Sequence, residues 1–351
     1  MANKIHIMSE AEQTNSEFRE GDIIETVSNI FFDVKGLVHP PGRVIAFPRF
    51  IPDSKGSRHR EDSSYRKVYG ISERFSFLEQ NLPSYIIYDR VFDEKLCEVP
   101  LENVKHHYAP KERLKEINNN QSLDALETDA LEFMHILKDS ASVPWDIMGI
   151  SGSLLIKLHT PESDIDPIIY GSENCRRVYE ALEPLTQDLR NNVKAYSMEE
   201  LRELFKFRVR DTRVSFKDFV RTETRKVLQG KFKGRDYFIR FVKDWNEIDE
   251  KYREICYKNV GYSKIKATVI DDSEAIFTPC SYKISSAEIL EGACFPVEEI
   301  ASFRGRFCEQ ARKGEVVIAQ GKVEKVMDYR QNREFFRLLL GNKPSDYMIL
   351  D

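Results

Sequence analysis

The stretch from residue 149 to residue 170 decides the expected fold; it reads Gly-Ile-Ser-Gly-Ser-Leu-Leu-Ile-Lys-Leu-His-Thr-Pro-Glu-Ser-Asp-Ile-Asp-Pro-Ile-Ile-Tyr. The residues from 143 to 150 predict a buried strand, and Gly152 with Ser153 predicts a tight turn into a helix of about two turns. That helix is expected to end at Thr160 and Pro161, because proline lacks an amide donor and restricts the residue before it. The apolar run after Asp166 predicts a second strand.

The residue types in this stretch suit a phosphate and a metal ion. A glycine lets the backbone approach a ligand closely, and the first turn of a helix offers unpaired N–H groups to a phosphate. Asp164 and Asp166 are two apart on a strand, so both carboxylates leave the same face. Two adjacent carboxylates repel each other unless a cation lies between them, and Mg²⁺ or Mn²⁺ is the usual choice beside phosphates. The arrangement is typical of phosphoryl or nucleotidyl transfer.

These residues carry a resemblance. Gly152-Ser153 followed by Asp164-Ile165-Asp166 resembles the signature of the polymerase-β-type nucleotidyltransferase superfamily. The resemblance implies that Gly152 and Ser153 bind the triphosphate of an NTP and that Asp164 and Asp166 hold two magnesium ions. The stretch from 158 to 166 also resembles uncharacterised archaeal proteins described as nucleotidyltransferases, over most of the chain, and that likeness names no substrate. Pro167 departs from the superfamily pattern and indicates either an edge strand or a site that has drifted.

The same resemblance implies a third carboxylate on a later strand, which would complete the metal site and activate the acceptor. Asp236 is the candidate, because Asp236, Phe238 and Arg240 alternate along one expected strand face. In archaeal CCA-adding enzymes the corresponding acid lies about two residues later, where this sequence has Phe238. An aspartate that merely belongs to a turn is the alternative interpretation.

A basic stretch runs from residue 206 to residue 243, with thirteen lysines and arginines against four acids in a chain of net charge −5. Aromatic residues are interleaved with these cations, which predicts a nucleic-acid surface and RNA as a partner. The expected RNA ligands are Lys217, Arg221, Arg225, Lys231 and Lys233. A solvated helix face above buried phenylalanines is the alternative.

The chain is expected to be an α+β multidomain protein, with a central polymerase-β-like nucleotidyltransferase α/β core flanked by two β-rich, barrel-like domains. Its predicted parts are a flexible N-terminus over 1–20, a β-rich domain of five or six strands over 21–108, a helical connector over 109–142, the core over 143–257, and a β-rich antiparallel domain over 258–351. Residues 53–64 contain no apolar side chain and predict an exposed, mobile loop.

Composition limits the class of protein. A hydrophobic content of 41% and a charged content of 32% are typical of a soluble globular chain. No apolar run is long enough to predict a membrane span, and the first residues lack a signal-peptide core, so a cytoplasmic protein is expected. The six cysteines are scattered without a Cys-x-x-Cys pair, which predicts neither a zinc site nor a disulfide framework.

The expected function is Mg²⁺- or Mn²⁺-dependent transfer of a nucleoside monophosphate from an NTP to a hydroxyl acceptor, with RNA as the expected acceptor. Two alternatives stay open. One is a non-catalytic RNA-binding protein that retains the fold, and the other is a transferase acting on a protein or a small molecule. The sequence does not select the base of the NTP or an oligomeric state.

Overall fold

The computed structural model describes residues 18–188, 190–285 and 287–351. These residues form seven α-helices and 21 β-strands, arranged in four sheets. The coarse prediction of a mixed helix-and-sheet protein is therefore confirmed, and the outer two sheets are the large ones, with eight and seven strands.

The N-terminal part is one eight-stranded sheet with the helix α1 (Ile71–Asn81) beside it. Its main path runs β4-β5-β3-β2-β1-β8, while β7 pairs with β3 and β6 pairs with β7. The strands are β1 (Ile23–Thr26), β2 (Phe31–Val34), β3 (Arg43–Pro52), β4 (Arg58–Arg60), β5 (Ser63–Lys67), β6 (Ile86–Asp89), β7 (Glu94–Pro100) and β8 (Val104–Tyr108).

Two expectations for this region are wrong. Residues 53–64 include the hairpin formed by β4 and β5 rather than a mobile loop. The hairpin is held because Tyr65 is buried and because the Arg58 guanidinium donates to the Leu158 carbonyl at 2.7 Å. The predicted count of five or six strands is too low for the same reason.

Residues 18–20 are buried, although the sequence predicts a flexible stretch over 1–20. The Arg19 guanidinium lies 3.6 Å from the centre of the Tyr170 ring and 3.1 Å from the Asp244 carboxylate. Cation–π contact and ion pairing therefore fasten residues 18–20 onto the central part of the chain. Residues 1–17 of that prediction lie outside the described residues.

The central part contains two three-stranded sheets, β14-β10-β9 and β11-β12-β13. Its helices are α2 (Pro110–Asn119), α3 (Ala125–Ala141), α4 (Gly152–Leu155), α5 (Ser172–Gln187), α6 (Met198–Arg208) and α7 (Phe216–Glu223). Its strands are β9 (Met148–Ile150), β10 (Pro167–Tyr170), β11 (Val193–Lys194), β12 (Gln229–Phe232), β13 (Arg235–Phe238) and β14 (Arg240–Val242).

Two local sequence signals predict structure that the fold confirms. The sequence Ser197-Met198-Glu199-Glu200 matches a capping box, and Ser197 and Glu200 form one at the start of α6. The stretch from 231 to 236 predicts a hairpin turn, and Lys233 and Gly234 make it between β12 and β13, with φ of 49° and 83°. Positive φ at both central residues is what a tight two-residue hairpin requires.

The central motif is more compact than predicted. The strand expected over 143–150 is only β9, and α4 has four residues because Lys157 takes a left-handed φ of 56° just after it. The edge-strand interpretation of Pro167 is wrong, since β10 lies between β14 and β9. Pro167 is the first residue of β10, where a missing amide donor is tolerated.

The C-terminal part is a seven-stranded, barrel-like sheet. Its pairings run in a closed cycle through β15, β16, β18, β20 and β19, and β18 is parallel to β20, so the antiparallel prediction is wrong for that pair. The strands are β15 (Ile255–Asp271), β16 (Cys280–Ile284), β17 (Glu288–Gly292), β18 (Val297–Ser302), β19 (Val316–Asp328), β20 (Arg333–Leu340) and β21 (Tyr347–Leu350).

One hydrophobic core joins α3, the central sheets and the C-terminal barrel. The Phe133 ring of α3 stacks on Phe232 at 4.8 Å and lies 4.9 Å from Tyr237. Ile265 and Phe277 belong to the same cluster. The parts that the sequence predicts as connector, core and C-terminal domain are therefore packed as one body.

Gly149 of β9 provides a test of this packing. A Cβ atom there would lie 2.8 Å from the Pro110 carbonyl carbon, a backbone atom of α2. We expect Gly149→Ala to lower the free energy of unfolding by about 1–3 kcal/mol through overpacking, measured by denaturant titration. Gly70 is the matched control, since its φ is −69° and a Cβ there would meet no atom within 4 Å. Equal stabilities of the two variants would contradict the close approach of α2 to β9.

Candidate active site

Two backbone hydrogen bonds align the aspartate motif with β13. The Ile165 N–H donates to the Asp236 carbonyl at 2.9 Å, and the Phe238 N–H donates to the Ile165 carbonyl at 3.1 Å. They make a parallel bridge between Ile165 and Tyr237, both of which are buried. Because side chains alternate along a strand, the flanking residues of both segments face the opposite side together. Asp164 is thereby placed across from Asp236, and Asp166 across from Phe238.

Asp166 lies directly against Gly152. A Cβ atom at residue 152 would be 1.9 Å from Asp166 Oδ2, so only glycine leaves room for the carboxylate. Gly152 also has a φ of 66°, a conformation that side chains other than glycine rarely adopt. The Ser151 N–H donates to the Asp166 carbonyl at 2.9 Å, which fixes the turn to the motif. The structure thus brings the Gly-Ser turn and the second aspartate into contact.

Ser153 is buried, and its Oγ has no hydrogen-bond partner among the residues that the structure describes. A buried hydroxyl without a partner costs free energy, which a ligand oxygen would recover. Ser153 is the second residue of α4, and because that helix has only four residues, its helix-dipole contribution is small. The Ser153 hydroxyl is therefore the main donor that this turn offers.

The charge state of Asp166 reflects its surroundings. Burial raises its pKa to about 7, and the charge of Asp164 adds to the rise, while Arg240, Lys67 and Arg49 oppose it. In the part of the chain that the structure describes, neither Asp164 nor Asp166 forms an ion pair with a side chain. A divalent cation would relieve the repulsion between the two carboxylates, so the residues fit a metal ion.

Cations from the N-terminal sheet face the aspartates. Burial and the neighbouring Arg49 lower the pKa of Lys67, while the charges of Asp164 and Asp166 oppose this effect. Arg58 interacts electrostatically with Asp164 and also donates to Ser163 Oγ at 2.9 Å. The sequence analysis missed Lys67 and Arg49, because no local signal relates residues on β3 and β5 to a motif about 100 residues away.

Asp236 has partners of its own. The Tyr196 hydroxyl donates to its Oδ1 at 2.8 Å, and Lys231 Nζ lies 3.0 Å from its Oδ2. The register places Asp236 beside Asp164. Among the described residues, however, Asp164, Asp166 and Asp236 are not a group whose ligand atoms all lie within 4.8 Å of one another. Asp236 would have to exchange its present contacts to share a metal ion with the other two.

A different set of ligand atoms does converge within 4.8 Å, on Asp124, Glu127 and His159. Asp124 and Glu127 form the capping box of α3, and Glu127 also pairs with the buried Arg113. His159 lies 2.7 Å from Asp124. These contacts give the three residues a structural role: they cap α3 and hold the segment that follows α4.

Most of the predicted RNA ligands are engaged within the chain. Arg221 donates to the carbonyls of Leu350 and Asp351, at 3.1 and 2.9 Å. Arg225 forms a two-bond ion pair with Glu315.

The two lysines of the hairpin are also paired. Lys231 pairs with Asp236, and Lys233 pairs with Asp129 and Glu132. Lys217 is exposed. Four of the five residues are therefore engaged within the chain, and RNA binding by these residues stays a prediction.

A cavity of about 1190 Å³ lies in front of the motif. Its lining includes Asp164, Asp166 and Asp236 from the centre, Lys67 from the N-terminal sheet and Arg304 from the C-terminal part. Pockets that bind one drug-sized ligand have volumes of roughly 300–1,000 Å³. The cavity therefore has room for a nucleotide and a second ligand.

The chain is similar to the uncharacterized protein MJ1086 of Methanocaldococcus jannaschii, with 33% identity over 331 residues that cover 91% of this chain and 94% of that protein. No protein-family model matches the sequence, and no solved structure matches it. Within residues 18–188, 190–285 and 287–351, every helix is too short or too polar to cross a membrane.

The raised pKa of Asp166 predicts a pH-dependent stability. The folded chain holds this proton more tightly than an ordinary aspartate of pKa 3.8, so the stabilisation is complete below about pH 4 and is lost as the pH rises through about 7. In EDTA, we expect the wild type to lose on the order of 2–4 kcal/mol of unfolding free energy relative to Asp166→Asn over that interval, measured by denaturant titration. Asp139→Asn, with a side chain 71% exposed, is the control. Parallel pH profiles of wild type and Asp166→Asn would contradict the prediction.

The contacts of Arg225 predict a structural role. Arg225→Gln should lower the free energy of unfolding by about 0.5–1.5 kcal/mol, because the pair with Glu315 is two-bonded and partly buried. Lys217→Gln on the neighbouring helix α7 should change it by less than about 0.5 kcal/mol, since Lys217 is exposed. Both are measured by denaturant titration. An Arg225→Gln protein of unchanged stability that had lost RNA affinity would restore the nucleic-acid interpretation.

Proposed function

The chain belongs to the same family as the uncharacterized M. jannaschii protein MJ1086, and we propose that its function is nucleotidyl transfer. The reaction moves a nucleoside monophosphate from an NTP to a hydroxyl acceptor and releases pyrophosphate. The central sheets and the turn before α4 are proposed to be a polymerase-β-like core, reduced around the motif to very short strands and a four-residue helix.

One observation carries the proposal. The Asp166 carboxylate packs on Gly152, while the neighbouring Ser153 hydroxyl is buried without a partner in the described chain. A metal-binding carboxylate and an unused phosphate donor therefore lie side by side. That is the arrangement needed where a metal ion and a phosphate oxygen meet.

The triphosphate would lie between the turn and the N-terminal sheet. Ser153 donates a hydrogen bond to a phosphate oxygen. Lys67 and Arg58 balance the charge of the β- and γ-phosphates, since both interact electrostatically with the aspartates from the facing side. Closure of the N-terminal sheet over the motif also excludes water from the phosphates, which strengthens these contacts.

The residues that would hold Mg²⁺ or Mn²⁺ are Asp164 and Asp166, with Asp236 across from Asp164. A bound divalent ion supplies charge neutralisation of the phosphate oxygens and of the pyrophosphate that leaves. The acceptor oxygen forms a bond to the α-phosphorus, and the bond from the α-phosphorus to the pyrophosphate oxygen breaks. Asp236 accepts the acceptor's proton after releasing Lys231.

The hydroxyl acceptor of the proposed transfer is either RNA or a smaller or protein substrate, and the structure bears on each differently. RNA as the acceptor, and the alternative of a non-catalytic RNA-binding protein, both relied on the basic stretch, in which Arg221, Arg225 and Lys233 are engaged within the chain. A small-molecule or protein hydroxyl needs no dispersed cations and suits a cavity that already has room for two ligands. A cytoplasmic location is part of the proposal, because NTP is required.

The proposal is tested with NTPs labelled at the α- or the γ-phosphate. The protein is incubated with Mg²⁺ or Mn²⁺ and, separately, with RNA, protein and small-molecule fractions of a cell extract. We expect transfer of the α-label alone, into one fraction. Asp164→Asn and Asp166→Asn should abolish it, because a single carboxylate binds the ions too weakly. Gly152→Ala should abolish it as well, because the added methyl group displaces Asp166.

Asp139→Asn is the matched control, as an exposed carboxylate outside the cavity. Each variant is first compared with wild type by thermal unfolding, so that loss of fold is separated from loss of chemistry. Transfer of the γ-label would indicate a kinase instead. Undiminished transfer by Asp166→Asn would remove the proposed site.

A further inference from the structure

Five arginines gather on the same cavity as the aspartate motif, on the other side of Phe238. We call them the arginine cluster: Arg49 of β3, Arg74 of α1, Arg208 of α6, and Arg304 and Arg306 after β18. The N-terminal sheet, the centre and the C-terminal barrel each contribute to it. Their convergence is a property of the fold, because the five positions extend from residue 49 to residue 306.

The arginine cluster carries more positive charge than its ion pairs balance. Arg304 and Arg306 share Asp211, at 3.0 and 3.3 Å. Arg49 and Arg74 share Asp33, at 3.6 and 3.4 Å.

Arg208 donates to the neutral Gln229 side chain at 3.0 Å. In the part of the chain that the structure describes, four of the guanidinium groups thus pair with two carboxylates and the fifth bonds a neutral amide, which leaves about three positive charges for a ligand.

The excess charge is held out of water. The Arg306 side chain is 8% exposed, and burial together with Arg304 and Arg208 lowers its pKa to about 10. The Arg74 side chain is 11% exposed, and its Nε has no hydrogen-bond partner within the described residues. Buried cations that outnumber their carboxylate partners are costly, so an anion with several acceptor oxygens would stabilise this arrangement.

Tyr69 lies among these arginines, and their combined positive charge shifts its pKa. Its ring is 5.0 Å from the Arg49 guanidinium. Burial would raise the pKa of Tyr69, but the charges of Arg306, Arg208, Arg49 and Arg304 together lower it. The Tyr69 hydroxyl adds a neutral donor to the surrounding guanidinium groups.

The ring of Phe238 lies between the arginine cluster and the proposed reaction centre. Phe238 lies across from Asp166, and a Cβ at Gly305 would be 2.4 Å from the end of the Phe238 ring. Gly305 stands between Arg304 and Arg306, so its contact brings both arginines up to the ring. A ligand that reached from the arginine cluster past Phe238 would present its other end to the aspartates.

We infer that the arginine cluster binds the phosphate group of a small phosphomonoester, which is the hydroxyl-bearing acceptor of the proposed transfer. The assignment of the ligand as an acceptor rests on the proposed function, whereas the phosphate site rests on the cluster alone. A phosphate dianion offers several oxygens to paired N–H groups and balances more of the excess charge than a carboxylate does. Phe238 separates this phosphate from the triphosphate beside Ser153.

The phosphate site is tested by calorimetric titration with inorganic phosphate and with ribose 5-phosphate as the probe phosphomonoester, in EDTA. We expect millimolar or tighter binding, weakened about tenfold or more in Arg208→Gln and in Arg304→Gln through loss of a charge-assisted contact. Arg304→Lys should retain part of the affinity. Arg190→Gln, with a side chain 91% exposed, is the matched control and should bind as the wild type does.

Thermal unfolding of each variant comes first, and phosphate should raise the unfolding temperature of wild type but not of a folded Arg304→Gln protein. Absence of phosphate binding to wild type at millimolar concentrations would overturn the site. Binding that Arg208→Gln and Arg304→Gln both retain in full would do the same. Binding of a short 5′-phosphorylated RNA without binding of ribose 5-phosphate would overturn the small-ligand assignment.

Competition separates this inference from the proposed function. Phosphate should bind equally well to wild type and to Asp166→Asn, and a Mn²⁺–NTP complex should not displace it. Displacement by the nucleotide would show that the arginine cluster belongs to the triphosphate site, and the acceptor assignment would fall. If Asp166→Asn still transferred nucleotide while phosphate binding depended on Arg208 and Arg304, the proposed function would fail and the phosphate site would stand.

Discussion

The candidate site depends on the pair of backbone hydrogen bonds by which Ile165 is bound to Asp236 and Phe238. A shift of one residue in this register would turn Asp164 and Asp166 into the core and bring Ile165 into the cavity. The buried Ile165 and Tyr237 side chains prevent such a shift, because both belong to the core that continues into α3 and the barrel. The hydrophobic packing behind the strand thereby fixes which acids face the ligand.

The N-terminal sheet supplies what the central motif lacks. Among the described residues, the segment at Gly152 offers one hydroxyl without a partner and a very short helix, which would be a weak phosphate cradle by itself. Lys67 and Arg58 reach the aspartates from β5 and β4, and Arg58 also holds the Leu158 carbonyl. Arg240 lies close to Asp166 and pairs with Glu20 at 3.1 Å, which helps to hold residues 18–20 against the central part.

Sequence reasoning succeeded where the cause of structure is local. The capping box at Ser197, the turn at Lys233-Gly234 and the paired aspartates before a strand all depend on neighbours within a few residues. Sequence reasoning failed where a charged residue is paired with a partner that is distant in the sequence. Arg225 finds its partner 90 residues away, and no pattern around Arg225 indicates Glu315. The convergence of the arginine cluster was not predicted for the same reason, since its members come from segments that are far apart in the sequence.

The resemblance to archaeal CCA-adding enzymes implies an acid at position 238, where this sequence has Phe238. The surroundings of Phe238 give a physical reason for an apolar side chain at this position. A carboxylate there would face Asp166, whose pKa burial and Asp164 already raise to about 7, and would add a third repelling charge. A carboxylate beside Gly305 would also attract Arg304 and Arg306, as Asp211 does at 3.0 and 3.3 Å. The acids and the arginines would then neutralise each other within the protein. An apolar ring between them keeps the two groups apart, so one cavity can hold the proposed metal site and the inferred phosphate site at the same time.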